Sequence, residues 1–302
     1  MASRSLLARV AWTSRDFAKR VWDNSGEDNI FFLAGGIAFN IMLAAIPFFL
    51  LLVAGLAYLL GQSTVASLEE VALLVERLLP PGLNPGELAI HRVLGDVIAA
   101  RGSLGLYSAI GFIWFSTRLF GSLRSVLADV FDLESERGIV EGKLFDIKVT
   151  VVSTILVAAY TVLSTYLAFA TTRGIAILGE LGVRRDVMGQ LEYTLGRLIA
   201  FAVVSVMFFL LYKLLPNRRV RWQMALIAAL FTAVLFELAR SVYTAYVERF
   251  NPGSLYSGTL YVIVTVVFWV YYSSLLFVLG GEVAQVYELR RVRRIQREVL
   301  EA

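Results

Sequence analysis

Glu237 and Arg240 stand three residues apart inside MALIAALFTAVLFELARSVYTAYV, an otherwise almost wholly apolar run from Met224 to Val247. A charge at the centre of a bilayer costs about 2.5–3.5 kcal/mol on insertion scales, so such residues face a bundle interior or a wet cavity. At i and i+3 they share one helix face. There a carboxylate and a guanidinium either bind the charged parts of a cargo or cancel each other as a structural pair. Counted from Trp222 at 1.5 Å per residue, they lie about 22–27 Å along their helix. Arg240 is long enough to extend its head outward; Glu237 is not.

Three more residues could line a polar path. Asn40 precedes Pro47 by seven residues in the first apolar run, and Pro47 frees the carbonyl of Leu43. An amide and a free carbonyl can coordinate a cargo or ion where they border a cavity. They can equally bond a neighbouring helix, at about 0.6 kcal/mol per bond. Arg118, near the end of the second run, either meets cargo or reaches the headgroups. The candidate cargo-binding residues are therefore Glu237, Arg240, Asn40, Pro47 and Arg118. Glu282 follows Gly280-Gly281, whose small size permits close helix packing. Its carboxylate can meet a neighbouring backbone or Arg118 at an interfacial level. The acids around Asp129–Asp146 read as a solvated loop, and His91 as a solvated residue.

Composition removes several chemistries. The chain has no cysteine and one histidine, His91, whereas a zinc site wants several imidazoles or thiolates. No nucleotide-binding loop is present, and no Ser/His, His/Glu or paired-Asp arrangement falls within the apolar runs. No cofactor, no metal and no enzymatic activity are expected. The net charge of +4 is explained by basic residues marking one membrane face, so nucleic acid is not expected as a partner.

The elements that must position these residues are long. Of 302 residues, 58% are hydrophobic and 17% charged, against about 45–50% and about 25% in soluble domains. Six apolar segments are readable: Ile30–Leu60, Leu104–Leu123, Ile147–Thr171, Thr194–Leu215, Gln223–Val247 and Thr259–Val283. Each supplies the roughly 20 residues a hydrocarbon core requires. With the N-terminus inside, the inner segments hold eighteen Lys and Arg and the outer ones eight, and all four lysines are inside. The expected fold is all-α: a polytopic membrane protein of six transmembrane helices, with both termini cytoplasmic. No cleavable leader is expected, because the first apolar run is too long for one.

The expected organisation is a cytoplasmic amphipathic segment at 1–29, a transmembrane domain at 30–288 and a charged tail at 289–302 that continues as helix. Residues 62–102 are too long for a bare connection and read as an extracytoplasmic helical cap. Its two helices are Ser67–Leu79, ended by Pro80-Pro81-Gly82, and Glu87–Ala100. Membrane lipids are the expected partners. Arg218, Arg219 and Arg221 could pair with anionic headgroups at roughly 1 kcal/mol each, or serve as a topology signal alone.

Four motifs in order resemble the YihY/BrkB family of bacterial inner-membrane proteins, over about residues 15–288. They are Ala34-Gly35-Gly36-Ile37-Ala38-Phe39-Asn40 with Ala45-Ile46-Pro47, and Trp114-Phe115-Ser116-Thr117-Arg118. The third is the turn Leu215-Pro216-Asn217-Arg218-Arg219-Val220-Arg221-Trp222 after Tyr212, and the fourth is Trp269 and Tyr271 with Leu279-Gly280-Gly281-Glu282. Asn40 stands where the family often has an aromatic residue, and Tyr256-Ser257-Gly258 is one residue longer than its Tyr-Gly. The resemblance implies six transmembrane helices and transport or export, with lipid among the cargoes. A ribonuclease name also attached to the family wants a His and carboxylate metal cluster, which this sequence lacks. The leading expectation is a transporter of an amphiphilic, lipid or small-solute cargo. The rival is a non-transporting scaffold that recruits a soluble partner through its acidic inner loop and basic tail.

Overall fold

The structure is a computed structural model that describes residues 6–59, 104–133, 140–149, 151, 185–216, 220–250 and 259–301. The cap at 62–102 with His91, most of the third apolar run, and Arg218 and Arg219 lie outside the described residues. Those described form seven helices and no strand. They are α1 (Leu6–Glu27), α2 (Ile30–Leu59), α3 (Leu104–Val130), α4 (140–149), α5 (Arg185–Leu214), α6 (Trp222–Phe250) and α7 (Thr259–Glu301).

By length and composition, α6 and α7 are able to cross a membrane among the described residues; a third span results if the bent pair α1–α2 counts as one. Their observed limits contain the fifth and sixth apolar runs. At 43 residues, α7 is about 64 Å long at 1.5 Å per residue, so it outruns a hydrocarbon core and carries its basic C-terminal half beyond.

Two helix ends are shaped by residues in the left-handed region. Asn29 (φ 51°) separates α1 from α2, which are bent by 64°. Its amide nitrogen reaches back to the Glu27 carbonyl at 3.3 Å, and its own carbonyl accepts the first bonds of α2 from Phe32 and Leu33. Asparagine tolerates this conformation better than branched residues do. Asp132 (φ 49°) ends α3. There Leu133 N–H bonds the Ala128 carbonyl at 2.9 Å and Asp132 N–H bonds that of Asp129 at 3.1 Å, the crossed pair of a Schellman end.

Helix α7 is the hub. It packs on α2 and α6, and more lightly on α1 and α3, while α2 pairs with α3 and α5 with α6. The buried core gathers at the end where α2 starts and α3 and α5 finish, with Ile37, Leu127, Val130, Tyr212, Leu215, Ala228 and Val278 nearly or wholly inaccessible. The turn after α5 buries Pro216 and is closed by Lys213 Nζ, which donates to the Val220 carbonyl. Beyond this end, Arg290 of α7 reaches Asp16 of α1 at 2.6 Å and lies 4.9 Å over the Phe17 ring.

Tyr212 fastens α5, α6 and α7 together. Its ring stacks on Phe277 at 4.8 Å. Its hydroxyl donates to the Phe277 carbonyl and lies 2.8 Å from Thr232 Oγ1; having one proton, it accepts from Thr232. Tyr212→Phe should therefore strand two buried polar groups and cost about 1–3 kcal/mol. Thermal unfolding in detergent would show a clear drop, and an unchanged midpoint would count against this role.

Candidate functional site

A cavity of about 510 Å³ lies among α2, α3, α4, α5 and α7, within the range of about 300–1,000 Å³ usual for ligand pockets. Its walls are Ile37 and Ile41 of α2, Leu119, Phe120 and Leu123 of α3, and Phe145 and Val149 of α4. Met207, Phe208, Leu210, Leu211 and Leu214 of α5, Leu215, and Phe277 of α7 complete them. Such walls suit hydrocarbon. Three lining residues are polar: Ser273, Ser274 and Lys148. Both serines spend their hydroxyls on their own helix, Ser273 to the Trp269 carbonyl at 2.7 Å and Ser274 to that of Val270 at 2.8 Å. Helical serines and threonines bond backward in this way when no outside acceptor competes. Lys148 is exposed, the sole ionised group of the lining, and among the described residues no acid pairs with it.

The wall that carries Lys148 is held by an ion pair. Arg124 of α3 donates through Nη1 to Asp146 Oδ1 at 3.0 Å and to the Gly142 carbonyl at 3.2 Å. Asp146 is 1% exposed, which corrects its reading as part of a solvated loop. The hydrophobic pattern around residues 129–146 is polar because of the loop itself, while burial at 146 comes from α3 folding over it.

The sequence candidates fall on two sides of α7. Asn40 is half-buried; its Nδ2 donates to the Gly36 carbonyl at 2.8 Å, and its Oδ1 has no hydrogen-bond partner. Pro47 is buried, and its Cβ sits 3.6 Å from where a side chain on Gly111 would begin. Arg118 is exposed on α3. These three occupy one packed pair, α2 and α3. Glu237 is half-buried and Arg240 exposed on α6, a helix that α7 separates from α2. The structure thus does not bring Glu237 and Arg240 beside Asn40 and Pro47. None of the five lines the cavity, although Asn40 lies between Ile37 and Ile41, which do. Arg221 lies 3.6 Å from Glu288, so it has a protein carboxylate beside it.

Glu282 also differs from expectation. It faces Asp28 and Asp132, and not Arg118, which lies twelve residues before the end of α3 at Val130, about 18 Å at the helical rise. The glycines before it do what small residues at that place permit. A Cβ on Gly280 would stand 1.9 Å from Thr232 Oγ1 and 2.6 Å from the Tyr212 hydroxyl; one on Gly281 would stand 3.0 Å from Val130 Cγ1. What sequence reasoning missed is Lys148, which it counted only towards topology, and the pair Arg124–Asp146. A lysine between Ile147 and Val149 was the available signal.

Against known proteins, the model of the family described as virulence factor BrkB matches residues 21–300. A UPF0761 membrane protein of Chlorobium phaeobacteroides is 27% identical over 269 residues, covering 89% of this chain and 56% of the relative. The chain thus spans little more than half of that relative's length. One of Pseudoalteromonas atlantica is 23% identical, over 90% of this chain and 86% of its own. One of Yersinia enterocolitica is 31% identical, over 68% and 67%. No solved structure matches.

Proposed function

The chain belongs to the BrkB virulence-factor family of membrane proteins, and from that premise we propose that it moves an amphiphile with an anionic head. The hydrocarbon part lies in the apolar cavity and the head meets Lys148. In this reading the protein is a six-helix protein of the bacterial inner membrane with both termini cytoplasmic, and it moves its cargo without altering it chemically. The observation that carries the reading is the cavity itself: about 510 Å³ of hydrocarbon-lined space with one ammonium, that of Lys148, in its lining. A small polar solute would lose its hydration there and gain nothing; a lipid tail would lose nothing. Lipid and phosphate recognition by a lysine is a point-charge contact, so the head is selected by charge more than by shape.

The test is movement of fluorescent anionic and zwitterionic phospholipid analogues in vesicles that contain the full chain. Lys148→Glu should lower the rate for the anionic analogue about tenfold, which corresponds to about 1.4 kcal/mol, and Lys148→Arg should retain most of it. If Lys148→Glu moves both analogues as the unaltered protein does, the head-group assignment is wrong. If neither analogue moves with any variant, the transport reading itself fails.

A further inference from the structure

Glu282 is wholly buried, and neither of its carboxylate oxygens meets a donor. What stands nearest to it is more acid, the carboxyl groups of Asp28 and Asp132. Each neighbour sits at a helix end. Asp28 follows α1, beside the left-handed Asn29, and Asp132 closes α3. Glu282 thus has two further carboxyl groups near it.

Of the remaining elements, α2 begins two residues after Asp28 with the partly positive end of a helix, and the polar side chains that the others bring are already engaged. From α5 comes the Tyr212 hydroxyl, which is committed to Thr232 and the Phe277 carbonyl. From α6 come Thr232 and the Ala228 carbonyl, against Gly280. On α7, Gln285 donates to Asp132 at 3.0 Å, while Arg290, about two turns beyond Glu282, is taken up by Asp16. Among the described residues no group of three acids is arranged to hold a metal ion. Neighbouring carboxylates with no donor between them repel, and one proton shared between the two removes that repulsion.

We propose that Glu282 and Asp28 form a proton-binding site at this end of the bundle, with the Glu282 hydroxyl donating to the Asp28 carboxylate. The proton comes from water on the side where Asp132 is exposed, and returns there. Its departure leaves like charges in contact, which drives the α1–α2 elbow and α7 apart. Phe277, five residues earlier on α7, lines the cavity, so proton release would reshape the cargo site. That last link rests on the transport reading; the proton site does not.

Infrared spectroscopy of the full chain in phospholipid vesicles at neutral pH separates the two. A protonated carboxyl has a carbonyl stretch resolved from that of carboxylates, and one component of it should vanish in Glu282→Gln. This variant replaces the acid O–H by an amide N–H of similar shape, so it should fold and unfold at the same or a higher temperature. Should it fail to fold, Asp28→Asn reads the same bond from its other side, and the band should shift in frequency. A band that is absent, or unmoved by both variants, overturns the proposal. So does a band that sodium abolishes, which would make the ligand a metal cation. If the band behaves as expected but a pH gradient leaves lipid-analogue movement unchanged, the site stands and the coupling falls.

Discussion

Gly280→Ala should abolish the folded state or cost more than the same change at any other described glycine. The new Cβ would lie 1.9 Å from Thr232 Oγ1, 2.6 Å from the Tyr212 hydroxyl and 3.2 Å from the Ala228 carbonyl. Overpacking a tight core ordinarily costs about 1–3 kcal/mol, and that range assumes neighbours able to rotate away. Here Thr232 and Tyr212 hold each other, and Ala228 contributes backbone, so the relief must come from parting α6 and α7. We expect at least about 3 kcal/mol, seen as a collapse in folded yield and in the detergent unfolding midpoint. Gly280→Ala with Thr232→Ala removes the worst overlap and leaves the other two, so it should recover part of the loss. Gly35→Ala is the control: nothing lies within 4 Å of its Cβ position, and replacing a helical glycine should be neutral or stabilising there. Equal effects of Gly280→Ala and Gly35→Ala would show that α6 and α7 are not held this closely.

The longest helices were legible because α2, α6 and α7 contain long apolar runs, whereas most of α4 falls in what the polar pattern reads as loop. Ile30 opens α2 and Thr259 opens α7 as the pattern requires, and Pro216 stops α5 before its clash with the preceding turn would begin. The elbow at Asn29 was less visible, because a single left-handed residue between two helical patterns leaves no gap in either. The close crossing at Gly280 could be suspected from two adjacent small residues, but not that a tyrosine from α5 would be the third party.

Charges were harder, for a physical reason. The cost of burying a charge draws attention to those deepest in apolar runs, Glu237 and Arg240. The most enclosed acids among the described residues lie elsewhere, Glu282 in the middle of α7 near the end of its apolar run and Asp146 on α4 just before the third run. Their burial is made by convergence of segments far apart in the chain: Asp28 with Glu282, Arg124 with Asp146. Hydropathy along one segment cannot register it. The same applies to Lys148, whose place on a cavity wall depends on α5 and α7 lying opposite.

Asp146→Ala should be the second costly change, and its effect should reach the cavity. Asp146 is 2% exposed at its side chain and Arg124 21%, so the pair is shielded enough for its geometry to matter. Removing one partner from such a pair strands the other charge and costs about 3–5 kcal/mol. Replacing both by apolar residues of similar volume is often close to neutral. Asp146→Ala and Arg124→Ala are therefore each expected to lower stability by about that amount, while Arg124→Met with Asp146→Leu should lose far less than their sum. Denaturant unfolding of the four proteins in detergent gives the coupling directly, and additive losses would show that the pair is not the anchor. Lys148 and Phe145 flank Asp146 on α4 and line the cavity. The apolar double variant thus restores stability but not the orientation that Asp146 imposes on that wall. It should fold and still bind the anionic lipid analogue more weakly, whereas a purely structural pair would leave binding unchanged once the fold is restored.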